Sequence, residues 1–418
     1  MDRELLERLY HRAVDAAQPR HAIAANLPEP PRGRTIVIGA GKASAQMAQA
    51  FEQAWPHPID KGLVVTRYGY AVACERIEIV EAAHPVPDIA GYLAARRLLE
   101  TVSGLSHDDL VVALISGGGS ALLPQPAQGL SFEDEQEVNQ VLLASGAPIG
   151  VMNVIRNELS AIKGGRLAAV ASPARVATLI VSDIPGDDPS LVASGPTVPM
   201  ASSRAEARHL AALYRLKLPE PAEDLLASDQ NLAPTPADPR FSHNSVRIIA
   251  SAALSLDAAA AEAGNTGLTP HILSDAIEGE ARDVAGVHVA LAREIRSRNR
   301  PFEKPTILLS GGETTVTIRG DGRGGRNAEF LLAFALAIEG QEGISALAAD
   351  TDGIDGAGDN AGAFCDGTTA ARMRSAGIDP RAALANNDAY NAFRAVAGLF
   401  ITGPTGTNVN DFRAIIIR

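Results

Sequence analysis

Apolar runs that end on Gly, Ser, Thr or Asp recur along this chain, and a helical stretch usually follows each one. Thr35-Ile36-Val37-Ile38-Gly39 reads as a strand, with a helix from Ala43 to Trp55 behind it. Gly62 to Thr66, Ile77 to Val80, Asp109 to Ser116 and Val176 to Ser182 read as further strands, and Ala90 to Gly104 as a helix. A strand that is apolar along its whole length is buried on both faces, which calls for helices on both sides of a parallel sheet. Hydrophobic residues make up 46% of the chain but aromatic residues only 4%, so Val, Ile, Leu and Ala must build the core. The pattern predicts an α/β protein, with a Rossmann-like parallel-sheet domain over residues 1–235.

Residues 213–244 break the pattern. Five prolines fall between Pro219 and Pro239, with little apolar periodicity, so the stretch reads as a surface excursion or linker. Beyond it, strands are expected at Val246 to Ala250, Thr269 to Leu273, Pro305 to Ser310, Thr314 to Ile318, Ile344 to Ala348 and Ala414 to Ile417. Helices are expected at Ser255 to Ala263 and Asn327 to Glu339. This predicts a second α/β domain with a mixed sheet over residues 236–418. Leu114 to Ser120 and Leu308 to Thr314 echo each other as strand-to-glycine corners, and two such corners could face one another across a cleft between the domains.

The net charge of −12 disfavours a nucleic-acid partner, which needs a basic face. It does not forbid an anionic ligand, because a local cluster of Lys and Arg can override the global field. Cys74 and Cys365 match no metal or CxxC spacing and suit a reducing compartment. The first 20 residues read as a charged amphipathic helix, not a signal peptide, and no apolar run approaches a membrane span. A cytoplasmic protein with no membrane partner is expected.

Six corners could carry chemistry. Gly39-Ala40-Gly41-Lys42-Ala43-Ser44 follows the first strand, where glycines admit an anion and Lys42 adds a mobile charge; an ordinary tight turn is the bland alternative. The dinucleotide pattern GxGxxG fails at Ser44, and no acid follows the second strand, which ends Val65-Thr66-Arg67. That disfavours NAD, although Arg67 leaves NADP open. Ser116-Gly117-Gly118-Gly119-Ser120 forms a nest of backbone donors suited to phosphate or carboxylate. In Asn153 to Arg166, the polar residues Arg156, Asn157, Ser160 and Lys163 recur at helical spacing, so several share a face before Gly164-Gly165; a solvated face is the plain reading.

Ser182-Asp183-Ile184-Pro185-Gly186-Asp187-Asp188 places carboxylates just past a strand, as hard oxygen ligands for magnesium or as turn residues. Glu313 and the glycine-rich loop Gly322 to Arg326, running into Asn327, put arginines where a planar fork could clamp phosphate oxygens. Asp350 to Gly356 offers a strand-end carboxylate cluster, with Asp352 a candidate metal ligand, and Thr405 to Asp411 adds a polar loop before the last strand. Phosphoryl transfer needs cation clamps, positioning and a metal more than a reactive nucleophile, and this inventory matches it.

GAGKAS, HPVPD (His84 to Asp88), SGGGSALL, NVIRNELSAIKGGRLA, SDIPGDD, ASGPTVP, SGGETTVTIRGDGRGGRNAEF, AADTDGIDG and TGPTGTNVND occur here in that order. Together they resemble the class II glycerate 2-kinases, which end in a MOFRL domain, over essentially the whole chain. The resemblance implies two α/β domains with the active site between them. It implies transfer of the γ-phosphoryl group of ATP to the 2-hydroxyl of D-glycerate with Mg²⁺. It implies central roles for the residues that match here as Lys42 and Arg326. Asp183, Asp187 and Asp352 are candidates for holding magnesium or orienting the 2-hydroxyl, with Asp183 placed among the catalytic residues and Asp187 and Asp352 with the metal. Gly41, Ser116 to Ser120, Arg156, Asn157, Lys163, Glu313 and Asn327 are candidates for contacting phosphate or substrate. A homodimer is compatible with this picture. An NAD(P)H-dependent hydroxypyruvate reductase is the alternative activity, since members also carry that label, and a non-catalytic anion-binding regulator is a third reading.

Overall fold

A computed structural model describes residues 2–184 and 186–418, so Pro185 of the SDIPGDD motif lies outside the described residues. The chain divides into two compact units, one over Pro19–Ile249 and the other over Ala250–Arg418 together with the residues up to Gln18.

In the first unit, β1 (Thr35–Ala40), β2 (Lys61–Arg67), β3 (Glu78–Ala82), β4 (Leu110–Ser116), β5 (Arg175–Val181) and β6 (Ser245–Ala250) form one sheet in the order β3-β2-β1-β4-β5-β6. The β3-β2-β1-β4-β5 pairings are all parallel. β1 and β4 are buried along their whole length, as their continuous apolar sequence requires. The chain reverses its order of winding between β1 and β4, and in such sheets ligands bind beyond the carboxyl ends of the strands on either side.

In the second unit, the strands are β7 (Thr269–Ser274), β8 (Gly279–Glu280), β9 (Thr306–Ser310), β10 (Thr314–Thr315), β11 (Ile344–Asp350), β12 (Gly362–Asp366), β13 (Leu399–Phe400) and β14 (Asp411–Ile417). Six of them form a mixed sheet, β13-β12-β11-β14-β9-β7, parallel only between β7 and β9. The expected α/β class, parallel first sheet and mixed second sheet are all present.

Several expectations change. The N-terminal helix Asp2–Ala16 belongs with the second unit, not with the sequence that follows it. Leu5, Leu6, Leu9, Tyr10 and Ala13 pack among Leu256, Ala259, Leu347, Phe400 and Phe412. The boundary between the units falls at 249/250 rather than 235/236, because β6 adds to the first sheet. The proline-rich stretch is not a linker: Glu220–Ala227 is a helix with Pro221 in its first turn, a position that tolerates the missing N–H. Its Ala222, Leu225 and Leu226 join a core with Leu142, Ile155 and Ala207. The alternating Thr314 to Ile318 yields only the two-residue β10. A further helix, Ala281–Arg298, lies where no element was expected; its Val284, Ala285, Val289, Ala292 and Ile295 form an apolar stripe with helical spacing.

Leu9 is fully buried between the N-terminal helix and the second sheet. Leu9→Ala is expected to cost about 2–5 kcal/mol of unfolding free energy, read by urea denaturation. A loss below about 1 kcal/mol would show that the helix is not integral to that unit.

Candidate functional site

Two corners of the parallel sheet are locked together by one hydroxyl. Ser116 Oγ, at the end of β4, accepts the Ala43 N–H at 3.0 Å and lies 3.1 Å from Ser44 Oγ. The Lys42 N–H donates to the Gly117 carbonyl at 2.9 Å. A Cβ at position 41 would stand 2.1 Å from Ser116 Oγ, and Gly41 has φ +141°, so only glycine allows this approach. The helix Ser44–Ala54 starts here without a side-chain cap, so its positive end faces the corner. Ser116, expected to touch ligand, uses its hydroxyl to tie the two corners instead.

A Cβ on Gly117 would lie 1.7 Å from Asp183 Oδ2, so the carboxylate of Asp183 rests directly on the glycine corner, where a strand-end acid was expected. Ser120 Oγ is 2.8 Å from Ser194 Oγ, which in turn donates to Asn153 Oδ1 at 2.9 Å. Asp187 sits in a left-handed turn, with φ 53°. Lys42 itself is partly buried, and among the described residues its ammonium makes no hydrogen bond or ion pair.

Two further cations and an amide expected at the site are engaged within the protein. The helix Ile149–Glu158 ends before Ser160 and Lys163, so the basic face expected across residues 156–163 does not form. Lys163 is buried and donates to Glu135 Oε1 at 2.7 Å. Arg156 donates to Asn139 Oδ1 at 2.9 Å, and burial lowers its pKa. Asn157 is buried and reaches Met200 Sδ at 3.7 Å. These three hold the helical part of the unit together. A charge taken out of water needs such a partner more than a ligand does.

In the second unit the centre is Asp411, expected only as the end of a polar loop. Its Oδ1 accepts Arg326 Nε and Asn327 Nδ2, both at 2.7 Å. Its Oδ2 accepts the fully buried Arg413 and the Thr314 N–H at 3.3 Å. Arg326 also donates to Asp350 Oδ2 and to the exposed Glu313 Oε1, each at 2.7 Å. Burial alone would lower the Arg326 pKa; Asp411, Asp350 and Glu313 outweigh it and raise it. The expected phosphate fork is therefore already filled by carboxylates, with Glu313 the only exposed one.

Asp355 explains part of the glycine-rich loop. It accepts the N–H groups of Asn327 at 3.0 Å and Ala328 at 2.8 Å, capping the helix Arg326–Ala337 from outside. A Cβ on Gly325 would lie 2.4 Å from the Asp355 Cγ, so this glycine makes room for the protein's own carboxylate. Asn327 is buried in the same network rather than open to ligand. Asp352 is part-exposed and turns back to accept the Ile354 N–H at 2.8 Å.

Among the described residues, no three His, Cys, Asp or Glu side chains form a ready metal site. Magnesium bound chiefly through nucleotide phosphates needs only one or two carboxylates, so the oxygen donors of Asp187 and Asp352 fit it chemically.

Two family models match the chain. One, described as a domain of unknown function (DUF4147), spans residues 5–227; the other, the MOFRL family, spans 306–411. A D-glycerate 2-kinase from Thermotoga maritima is 38% identical, over 98% of this chain and 97% of its own length. The chain belongs to the MOFRL-domain glycerate 2-kinase family. A crystal structure of a glycerate kinase from Thermotoga maritima superposes with a TM-score of 0.91 at 37% identity, covering 99% of both chains. A family relative from Agrobacterium vitis, 52% identical over 99% of this chain and 94% of its own, carries the provisional name hydroxypyruvate reductase. No helix among the described residues is long and apolar enough to cross a membrane.

Asp411→Ala would strand the buried Arg413 and is expected to cost about 3–5 kcal/mol. Glu313→Gln removes an exposed partner and should cost less than about 1 kcal/mol. Thermal and urea unfolding check the contrast, and equal losses would refute the hub role of Asp411. A pH prediction comes from Asp355, which is pushed up to about 6, first by burial and then by Asp411, against its two N–H donors. The folded state thus holds this proton more tightly than an exposed Asp does. The stability it contributes is full below about pH 4 and is lost as pH rises through about 6. The difference in unfolding free energy between Asp355→Asn and the parent protein should change across that window and nowhere above it.

Proposed function

We propose that the chain transfers the γ-phosphoryl group of ATP to the 2-hydroxyl of D-glycerate, with magnesium, giving 2-phosphoglycerate in the cytoplasm. The observation that carries this reading is Lys42. It is a part-buried ammonium with no protein partner among the described residues, at a corner where Gly117 to Gly119 and a helix N-terminus supply further positive potential. The Thermotoga relative's name, and that of a glycerate 2-kinase from Pyrococcus horikoshii, support the acceptor and the position of transfer.

In this reading Lys42 neutralises charge on the transferring phosphoryl oxygens. Arg326 has two N–H groups beyond the three already bonded, and these are the donors it has left for a ligand. Asp183, held on Gly117, orients the acceptor hydroxyl and takes up its proton as the oxygen attacks phosphorus. Asp187 or Asp352 holds magnesium, which when bound offsets negative charge on the phosphates. The oxygen of the acceptor forms its bond to phosphorus while the bond from phosphorus to ADP breaks.

The Agrobacterium relative's name favours a second reading, reduction of hydroxypyruvate. Against it stands Ser44, which fills the third-glycine position of a dinucleotide corner with a buried side chain bonded to Ser116.

Incubation with D-glycerate and MgATP, followed by NMR assignment of the product, tests the proposal. 2-Phosphoglycerate is expected; 3-phosphoglycerate would move the site of transfer, and oxidation of NAD(P)H by hydroxypyruvate without ATP would replace the reading. Lys42→Ala and Arg326→Ala should each lower kcat by at least ~100-fold with the fold intact by circular dichroism. Near-parental turnover in either variant would remove that residue from the mechanism.

A further inference from the structure

We propose that His84 is a substrate-contacting residue of this site, its Nε2 hydrogen-bonding an oxygen of the small hydroxy acid beside Lys42. The proposal rests on the phosphotransferase reading above.

Three strands end at the same side of the parallel sheet, and the three residues in question stand at the same step beyond them. Lys42 lies two residues past the end of β1, Gly118 two past β4 and His84 two past β3. Gly118, with φ +79°, is the floor between the other two. A Cβ built on it would lie 3.0 Å from His84 Nε2 and 3.1 Å from both Cγ and Cε of Lys42. Glycine at this position therefore keeps open a small notch, walled by an imidazole nitrogen on one side and the lysine stem on the other. Any side chain at 118 would fill it.

His84 is part-buried, and among the described residues neither ring nitrogen has a hydrogen-bond partner. A half-buried ring nitrogen without a protein partner among the described residues can pair with a ligand oxygen at little desolvation cost. Burial first, and then the charges of Lys42 and Arg67, push the His84 pKa down to about 4. The ring is thus neutral at physiological pH, with one donor and one acceptor nitrogen. A neutral ring adds no attraction for a polyphosphate, whose binding is governed by cations. It adds a directional hydrogen bond, which is what selects a hydroxyl or carboxylate oxygen of a compact acid. Lys42 then serves charge and His84 serves recognition within one notch. His84 lies in the HPVPD segment, whose Asp88 is already committed to capping the helix Ile89–Thr101 through the Gly91 N–H. That cap fixes the path of the loop that presents the histidine.

The test compares His84→Ala and His84→Gln with the parent enzyme. KM and calorimetric Kd for D-glycerate should rise about 10-fold in His84→Ala, as for loss of one hydrogen bond. His84→Gln should recover part of the loss, because its amide can still donate and accept. KM for ATP and the melting temperature should stay at parental values. An unchanged KM for D-glycerate, or an equal rise in KM for ATP, would overturn the proposal. Long-range ¹H–¹⁵N NMR of the histidines should show a neutral His84, assigned by its loss in His84→Gln, that shifts when D-glycerate is added. If the parent enzyme makes no phosphoglycerate, the phosphotransferase reading falls. The calorimetric and NMR titrations then decide His84 alone: a shift with D-glycerate keeps it as a ligand contact, and no shift ends it.

Discussion

The architecture of both candidate regions depends on polar side chains packed against backbone where no Cβ would fit. Ser116 Oγ occupies the space beside Gly41, the Asp183 carboxylate that beside Gly117, and the Asp355 carboxylate that beside Gly325. Each contact joins segments far apart in sequence. Ser116 reaches across 73 residues to the Ala43 N–H, and Asp355 across 28 to the Asn327 N–H. The helix starts at Ser44 and Arg326 are in this way fixed by groups other than their own caps. Rigid placement of a helix N-terminus is what makes it useful to an anion, since a preorganised dipole costs nothing to reorient at binding.

The two cations singled out by family resemblance live in opposite electrostatic settings. Lys42 lies beside glycines, a helix N-terminus and a neutral imidazole, and among the described residues its ammonium forms no ion pair, although the Asp183 carboxylate rests on the same glycine corner. Arg326 is bonded by Asp411, Asp350 and Glu313. Around it the carboxylates of Asp350, Asp352, Asp355, Asp411 and Glu313 outnumber the guanidinium groups of Arg326 and Arg413. The surplus shows in the titration of the cluster: Asp350 is raised well above the usual carboxylate range, by burial first and then by Asp352 and Asp411. Such a cluster repels an anion unless a cation or protons come with it. Arrival of a phosphate as its magnesium complex meets that condition, whereas a free phosphate does not.

The fold was largely legible because the strongest signals were strands apolar on both faces, and β1, β4 and β5 admit no other placement than the middle of a covered sheet. The N-terminal helix was legible as a helix but not as a partner of the second unit. Its apolar stripe of Leu5, Leu6, Leu9 and Tyr10 fits any complementary face, and sequence order favours the wrong one. The helix at Glu220–Ala227 was hidden by Pro221, which marks a loop in the interior of a pattern but a first turn at its start. The site was half legible. Lys42 and Asp183 stand at strand-end corners as their positions imply. Lys163, Arg156 and Asn327 were read as ligand contacts because a cation or amide beside glycines looks the same whether its partner is a phosphate or a distant Glu135, Asn139 or Asp411. That partner is a product of tertiary structure, and no spacing along the chain encodes it.

His84, legible only as part of the HPVPD motif, has no site role in the sequence for the converse reason. A lone histidine in a loop carries no spacing signal, and its meaning comes from Gly118, 34 positions away, whose missing side chain leaves the ring facing open space. The same logic bears on the choice between phosphoryl and hydride transfer. A dinucleotide corner needs its third glycine so that helix and strand can close on each other around a pyrophosphate. Here that closure is made by Ser44, buried and bonded to Ser116, and the corner stands beside Lys42, whose ammonium has no partner among the described residues. A migrating phosphoryl group, carrying negative charge from donor to acceptor, requires such a charge throughout the reaction.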